Sequence, residues 1–156
     1  MKLQLLEITF LSTEQKAAVY KLWNNEYPEN LKYTAMADFD IYLNNLSNTI
    51  HYIVTKQNKP ISGWGFVFDR NNERWFAILL DSKIQKQYHG TWLLNKLKEK
   101  EDELNGWVID HNHLLKQNGE VYSSPLEFYT KNGFIIQPSM RLETGKISAV
   151  KIRWRK

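Results

Sequence analysis

The chain has 156 residues, of which 42% are hydrophobic and 24% charged, and its net charge is +4. These values are typical of one soluble globular domain, and no apolar run reaches the length of a membrane span. The absence of cysteine excludes disulfides, thiolate metal ligands and a cysteine nucleophile. Residues 1–7 are too few and too polar for a signal peptide. We therefore expect a single domain over residues 1–156 and a cytoplasmic location.

In the N-terminal half, alternation of apolar and polar side chains predicts a strand over residues 3–10, with Phe10 as an apolar position. Ser12 and Gln15 form a capping-box pattern that predicts the start of a first helix, and the proline at position 28 ends that segment. A second short helix is predicted from the apolar spacing of Phe39, Tyr42, Leu43 and Leu46. Strands are then predicted at 50–55, 61–68 and 74–81. The short turns between them indicate an antiparallel meander.

The stretch from residue 74 to residue 104 organises the rest of the chain. An apolar run of strand length is followed by a polar turn over residues 82–90. Leucines then recur at helical spacing, at Leu93, Leu94, Leu97 and Leu104. A strand that leads through a loop into a helix N-terminus presents backbone N–H groups at the positive end of the helix dipole. This arrangement predicts an anion site suited to phosphate.

In the C-terminal half, residues 107–111 are predicted to form a fifth strand, parallel to the fourth because a helix joins them. The polar stretch 112–123 is predicted to be a loop of the functional site. Ser124 and Glu127 form a second capping-box pattern for a short helix over 125–132, which ends at Gly133. Further strands are predicted from residue 134 and over residues 150–154.

Two segments resemble signatures of the GNAT N-acetyltransferase superfamily. Residues 85–94 resemble its acyl-CoA loop, which has Gln or Arg, glycines and then a leucine-rich helix. Gln85 and Gly90 match that pattern, whereas Tyr88 stands where its first glycine is expected and Lys86 replaces another frequent glycine. Residues 128–134 resemble the second signature, Phe-Tyr-Glu-Lys-x-Gly-Phe. The order of predicted elements resembles a GNAT domain over nearly the whole chain.

The resemblance implies an α+β fold, with a mixed and mostly antiparallel central sheet of about seven strands flanked by about four helices. It implies transfer of an acetyl group from acetyl-CoA to the amine of a small molecule or protein. Tyr129 matches the family tyrosine that protonates the departing thiolate. Asp110, His111 and Glu26 are the candidates for a general base, and a water relay without a single base is the alternative. The implied cofactor-binding positions are Ile78, Leu79, Leu80, Gln85, Lys86, Gln87, Tyr88, His89, Gly90 and Thr91.

Other interpretations of the sequence stay open. The altered loop is compatible with a GNAT-fold binding module that has lost or changed its use of the cofactor. The basic charge is compatible with nucleic acid binding, which we treat as a weaker alternative because the lysines are dispersed. We expect the charged C-terminal residues to lie on the outer face of an edge strand. His111 and His113 lack a nearby third ligand, so we predict no metal. No membrane partner is expected, and a homodimer is compatible with the sequence.

Overall fold

The computed structural model describes residues 2–57, 60–85 and 88–156. In these ranges the chain forms seven β-strands and four α-helices. The strands are β1 (Leu3–Ile8), β2 (Ser47–Lys56), β3 (Ile61–Arg70), β4 (Glu73–Leu80), β5 (Glu103–Ile109), β6 (Ile135–Glu143) and β7 (Ser148–Arg155). The helices are α1 (Thr13–Glu26), α2 (Met36–Asn44), α3 (His89–Lys100) and α4 (Leu126–Lys131). None of these helices is long and apolar enough to cross a membrane.

All seven strands join one sheet in the order β1-β2-β3-β4-β5-β7-β6. The first four strands are antiparallel neighbours, which confirms the predicted meander. Strand β5 runs parallel to β4 because α3 carries the chain back along the sheet, and β7 and β6 complete the sheet in antiparallel fashion. The α+β class and the mostly antiparallel sheet are therefore confirmed.

The sheet separates two apolar cores. The core on the α1 and α2 side is largely aromatic, and its buried members include Val19, Trp23, Phe39, Trp64, Phe66 and Trp75. The core on the α3 and α4 side contains the leucines of α3 and includes Leu93, Leu94, Leu97, Phe76, Tyr129 and Phe134. Burial of apolar area on both faces, at about 25 cal/mol per Å², is the main force that holds the helices on the sheet.

The helix signals are confirmed in part. Ser12 Oγ accepts from Gln15 N at 3.1 Å and Gln15 Oε1 accepts from Ser12 N at 2.8 Å, so the first capping box forms. The second box does not form. Helix α4 starts only at Leu126, whose N donates to Ser124 Oγ at 3.3 Å, but the Glu127 carboxylate does not complete the box and instead pairs with Lys131 one turn later, at 3.1 Å.

Three further predictions from the sequence are wrong. Leu104 lies in β5 rather than in α3, because the chain is already extended at Glu101 after α3 ends at Lys100. Leu104 is buried in the same core as the α3 leucines, but its helical spacing from them is a coincidence. Phe10 lies beyond the end of β1 and is 87% exposed. Finally, β7 is an interior strand between β5 and β6, so its charged residues do not lie on a sheet edge.

We predict that His51 lowers the stability of the protein in acid. Its Nδ1 accepts a hydrogen bond from Trp64 Nε1 at 3.0 Å, and burial lowers the pKa of His51 from 6.5 to about 4. The unfolded chain therefore binds this proton as the pH falls below 6.5, whereas the folded chain resists it until about pH 4. One pKa unit corresponds to about 1.4 kcal/mol, so about 3 kcal/mol of stability should be lost over this window.

Urea unfolding of the wild type and of His51→Gln between pH 7.5 and 4 measures this loss. The glutamine can accept from Trp64 but does not titrate, so its stability should fall less steeply with acid. An equal fall in both proteins would assign the acid sensitivity to other groups.

Candidate active site

The two parallel strands at the centre of the sheet diverge. The only ladder pair between β4 and β5 among the described residues is Trp75↔Asn105. Beyond it β4 continues to Leu80 along β3, and β5 continues to Ile109 along β7. The sheet therefore opens between the C-terminal ends of these strands, which leaves backbone groups on the inner edge of β4 without a strand partner.

The predicted acetyl-binding positions lie on this edge. The side chains of Ile78 and Leu80 pack against the core of α3 and α4, and Leu79 is buried on the opposite face. The carbonyl of Leu80 accepts a hydrogen bond from Gln85 Nε2 at 2.8 Å. Gln85, the first residue of the family-like loop, thus folds back onto the end of β4 and fixes the start of the loop.

The loop begins as a capped turn. Asp81 Oδ1 accepts from Lys83 N at 2.8 Å and starts the short 3-10 turn Ser82–Ile84. Ile84 is buried and anchors this turn to the protein. The predictions for Lys86 and Gln87 lie outside the described residues.

Tyr88 takes the backbone conformation that a glycine would be expected to supply. Its φ is +65° and its ψ is 6°, in the left-handed region, and the residue is 87% exposed. Its carbonyl accepts the first hydrogen bond of α3, from Trp92 N at 3.0 Å. The amides of residues 89–91 therefore lie at the positive end of the α3 dipole, where an anion is stabilised. The tyrosine keeps this geometry at the cost of backbone strain.

Relief of this strain gives a testable prediction. Replacement of Tyr88 by glycine should raise the free energy of unfolding by about 1 kcal/mol, because glycine adopts a positive φ without a Cβ clash. Urea unfolding measures the change, and Tyr88→Ala is the matched control because it removes the ring but keeps the Cβ. Equal stabilities of the glycine and alanine variants would show that the backbone is not strained.

Gly90 joins the loop to α4. A Cβ on Gly90 would lie 3.1 Å from Phe128 Cζ and 3.6 Å from Leu80 Cδ1. The first of these contacts is tighter than a packed interior tolerates without movement, so the glycine permits α3 to start directly against Phe128. Since Tyr129 follows Phe128, the loop, β4 and the predicted catalytic tyrosine meet at one end of the sheet.

Tyr129 is buried on α4 beside the inner strand. Its ring packs edge-on against Phe76 of β4 with the ring centres 5.6 Å apart. Burial, and to a lesser degree the phenols of Tyr27 and Tyr122, raise the pKa of Tyr129 well above 10. No residue within 2–57, 60–85 or 88–156 hydrogen-bonds its hydroxyl. The side chain is therefore a protonated donor that has no partner in the described part of the chain.

Asp110 follows β5 at the open end of the sheet but is engaged by a cation. Its carboxylate accepts two hydrogen bonds from Arg141, at 2.8 and 3.0 Å. These hydrogen bonds lower the pKa of Asp110 below its ordinary value. A carboxylate held in this way orients the arginine well, but it is a weak proton acceptor.

Glu26 lies at the end of α1 and is buried, with three donors around its carboxylate. Its Oε2 accepts from Ser82 N at 3.0 Å, and its Oε1 lies 2.9 Å from Lys116 Nζ and 3.4 Å from Gln85 Nε2. Sequence reasoning did not identify Lys116 as part of the site. The one signal in the sequence that could have indicated Lys116 was its position within the predicted site loop over residues 112–123.

The predicted site loop over residues 112–123 is a short hairpin. An isolated bridge pairs Leu115 with Val121, and a second bridge pairs Lys116 with Pro28. The rings of Tyr27 and Tyr122 lie 6.4 Å apart across this junction. The hairpin thus packs on the segment that follows α1 and faces the open end of the sheet.

The histidines of the loop form no metal site in the described residues. The rings of His111 and His113 lie 4.8 Å apart, and His111 Nδ1 accepts from His113 N at 3.2 Å. No group of three or more His, Cys, Asp or Glu side chains is arranged to hold a metal ion in the part of the chain described.

A polar surface hollow lies at the other end of the sheet. It is lined by residues at the beginnings of β4 and β5, among them Glu73, Arg74 and Glu103. We place the candidate site at the open end instead, because diverging strands, a helix N-terminus and a protonated buried phenol converge there.

Comparisons with known proteins identify the fold. No family model matches the sequence, and no curated protein matches it. Solved structures do match. The aminoglycoside 6'-N-acetyltransferase of Enterococcus faecium has a TM-score of 0.69 and 15% identity, with 97% of this chain and 96% of that chain covered. The ribosomal-protein-S18-alanine N-acetyltransferase of Escherichia coli has a TM-score of 0.65 and 17% identity, with 99% and 94% covered.

A third structure contains a ligand. The PaiA N-acetyltransferase of Thermoplasma acidophilum, solved in complex with coenzyme A, has a TM-score of 0.65 and 14% identity, and each chain is covered over 100% of its length. At these identities the likeness establishes the fold and not the activity. Together with the seven-stranded sheet and its diverging central strands, it shows that this chain has the fold of the GNAT N-acetyltransferase superfamily.

Proposed function

We propose that the protein is an N-acetyltransferase that moves an acetyl group from acetyl-CoA to an amine by direct transfer. The observation that carries the proposal is the opening between β4 and β5, with the N-terminus of α3 and the Tyr129 side chain at the same end. The absence of cysteine excludes an acyl-enzyme on a thiol. The CoA complex of the Thermoplasma structure supports acyl-CoA as the donor class.

The α3 N-terminus is proposed to bind the pyrophosphate of the donor. Residues 88–91 present backbone rather than side-chain groups to the pyrophosphate. A tyrosine at position 88, where the family pattern has glycine, therefore preserves the site as long as its φ stays positive. The exposed ring of Tyr88 leaves the backbone accessible. This geometry favours a working cofactor loop over the alternative of a binding module that has lost its cofactor.

The inner edge of β4 is proposed to hold the acetyl group. Among the described residues, the backbone N–H of Ile78 has no ladder partner on the β5 side, and it can donate to the thioester oxygen as that oxygen gains negative charge. Such donors stabilise the tetrahedral intermediate formed when the amine nitrogen attacks the carbonyl carbon. The Leu80 carbonyl is already bonded to Gln85 and serves to shape the loop.

Tyr129 is proposed as the general acid. When the intermediate collapses, the carbon–sulfur bond breaks, the carbon–nitrogen bond remains, and Tyr129 donates a proton to the leaving thiolate. An ammonium acceptor loses two protons in total. The thiol gains one of them, after the phenol is reprotonated through solvent, and the other is released. Because Asp110 and Glu26 are both ion-paired, we propose that water accepts the first proton from the amine.

Acetyl-CoA binding tests the proposal directly. Isothermal titration calorimetry should show one site for acetyl-CoA, and weaker binding of a pantetheine thioester that lacks the pyrophosphate. Incubation with a panel of primary amines should then release free CoA thiol, measured with a thiol reagent. Absence of acetyl-CoA binding at millimolar concentration would overturn the proposal, whereas binding without turnover on any amine would favour the binding module.

A further inference from the structure

One buried carboxylate joins three segments of the candidate site. Glu26 is only 7% exposed and lies at the end of α1. Its two oxygens accept from the backbone of Ser82, from the ammonium of Lys116 and, at longer distance, from the amide of Gln85. Ser82 and Gln85 belong to the start of the cofactor loop, and Lys116 belongs to the hairpin over residues 112–123.

The hairpin reaches this junction through Lys116, and it is also held by backbone contacts and by a side-chain hydrogen bond from Gln117 to Asn25 of α1. Within it, Lys116 N donates to Glu120 O at 2.8 Å and Tyr122 N donates to Leu114 O at 2.8 Å. Toward α1, Glu29 N donates to Leu115 O at 2.8 Å. These are backbone contacts, whereas the Lys116 side chain reaches inward to Glu26 and the residue as a whole is only 9% exposed.

The cost of burying unpaired charges links Glu26 and Lys116 energetically. A buried ammonium without a counter-charge is costly, and so is a buried carboxylate without donors. Each partner therefore depends on the other, and a displacement of the hairpin moves Lys116 away from the carboxylate that also holds Ser82. The position of the hairpin and the position of the cofactor loop are consequently linked through Glu26.

We propose that Glu26 is a positioning residue: it couples the cofactor loop to the hairpin over residues 112–123, which frames the acceptor amine. This inference rests on the proposed function. Glu26 does not act as the general base. Its Oε2 accepts a hydrogen bond from Ser82 N at 3.0 Å and its Oε1 lies 2.9 Å from the Lys116 ammonium, so both oxygens are engaged by groups of the protein. Lys116 is the counter-charge that holds the carboxylate in place.

Kinetics of Glu26→Gln, Lys116→Met and the double variant test the coupling. Glutamine can still accept from Ser82 but leaves the Lys116 ammonium unpaired. This variant should raise the KM for both acetyl-CoA and the amine by about tenfold, the equivalent of about 1.4 kcal/mol, with kcat changed less. Removal of the ammonium in the double variant should bring both KM values back to within about threefold of the wild type.

A general base predicts the opposite pattern. Glu26→Gln and the double variant would then lose kcat equally, the acidic limb of the pH profile of kcat/KM would change, and Lys116→Met would rescue nothing. That pattern would overturn the proposal. Glu99→Gln is the matched control, because Glu99 pairs with Lys96 on the exposed face of α3 at 3.6 Å, and it should leave both KM values unchanged.

Hydrogen exchange on the cofactor-free protein separates this proposal from the proposed function. Glu26→Gln should speed the exchange of the Ser82 amide and of the hairpin amides at Lys116 and Tyr122, and the double variant should restore protection. This readout needs neither acetyl-CoA nor an acceptor. Faster exchange in only one of the two segments would show that they are not coupled, even if the protein proves to be an active acetyltransferase.

Discussion

Replacement of Tyr129 by phenylalanine should lower turnover by about a hundredfold or more, the usual range for loss of a general acid. Acetyl-CoA affinity should stay nearly unchanged, because the hydroxyl is needed only when charge develops on sulfur. The raised pKa of Tyr129 keeps the phenol protonated at neutral pH, so its ionisation should not limit the rate below about pH 10. Steady-state kinetics and calorimetry on the same preparation measure both quantities.

The structure separates this role from a structural one. No described residue accepts a hydrogen bond from the Tyr129 hydroxyl, so its removal strands no protein acceptor in that part of the chain. The melting temperature of Tyr129→Phe should therefore stay close to that of the wild type. A loss of stability with full turnover per folded molecule would assign the hydroxyl to the core. A stable and fully active variant would remove Tyr129 from the mechanism.

The fold was largely predictable because its signals are local. Strand alternation, the Ser12 capping box and the left-handed Gly133, with φ of +88°, each depend on residues close in sequence. The errors arose where tertiary contacts decided the outcome. Leu104 matches the period of the α3 leucines, yet Arg74 binds Glu101 at 3.0 Å near the point where the helix ends and β5 begins.

The candidate site was predictable in part. Short motifs in the sequence led to the predictions for the family-like loop and for Tyr129, which stay predictions, and the structure shows that Tyr88 adopts a positive φ. The engagement of Glu26 and Asp110 could not be predicted. Their cations, Lys116 and Arg141, are distant in sequence, and nothing local to either carboxylate indicates a partner.

The contacts that hold the closed end of the sheet also required the structure, because they join side chains and backbone from three strands. Glu73 begins β4, and its two oxygens each lie 3.0 Å from Lys151 Nζ on β7, across the intervening β5. Lys151 is only 3% exposed, and its ammonium lies 5.3 Å from the centre of the Trp75 ring. Asn105 Nδ2 adds a hydrogen bond to the Arg74 carbonyl at 3.0 Å.

Glu73→Gln should therefore lower the free energy of unfolding by about 3 kcal/mol, because it leaves the Lys151 ammonium buried without its counter-charge. Arg153, whose Nη2 lies 3.5 Å from the same carboxylate, would add like-charge repulsion. Urea unfolding measures the loss. Glu127→Gln is the matched control, since its exposed pair with Lys131 should contribute less than about 0.5 kcal/mol.

The double variant Glu73→Gln/Lys151→Met distinguishes a buried charge from a lost contact. With the ammonium removed, an apolar side chain against Trp75 should recover most of the stability. If the double variant is as unstable as Glu73→Gln, the loss comes from the missing link between β4 and β7. Acetyl-CoA affinity should follow stability in this series, because the separation of β4 and β5 at the open end depends on their being held together at the closed end.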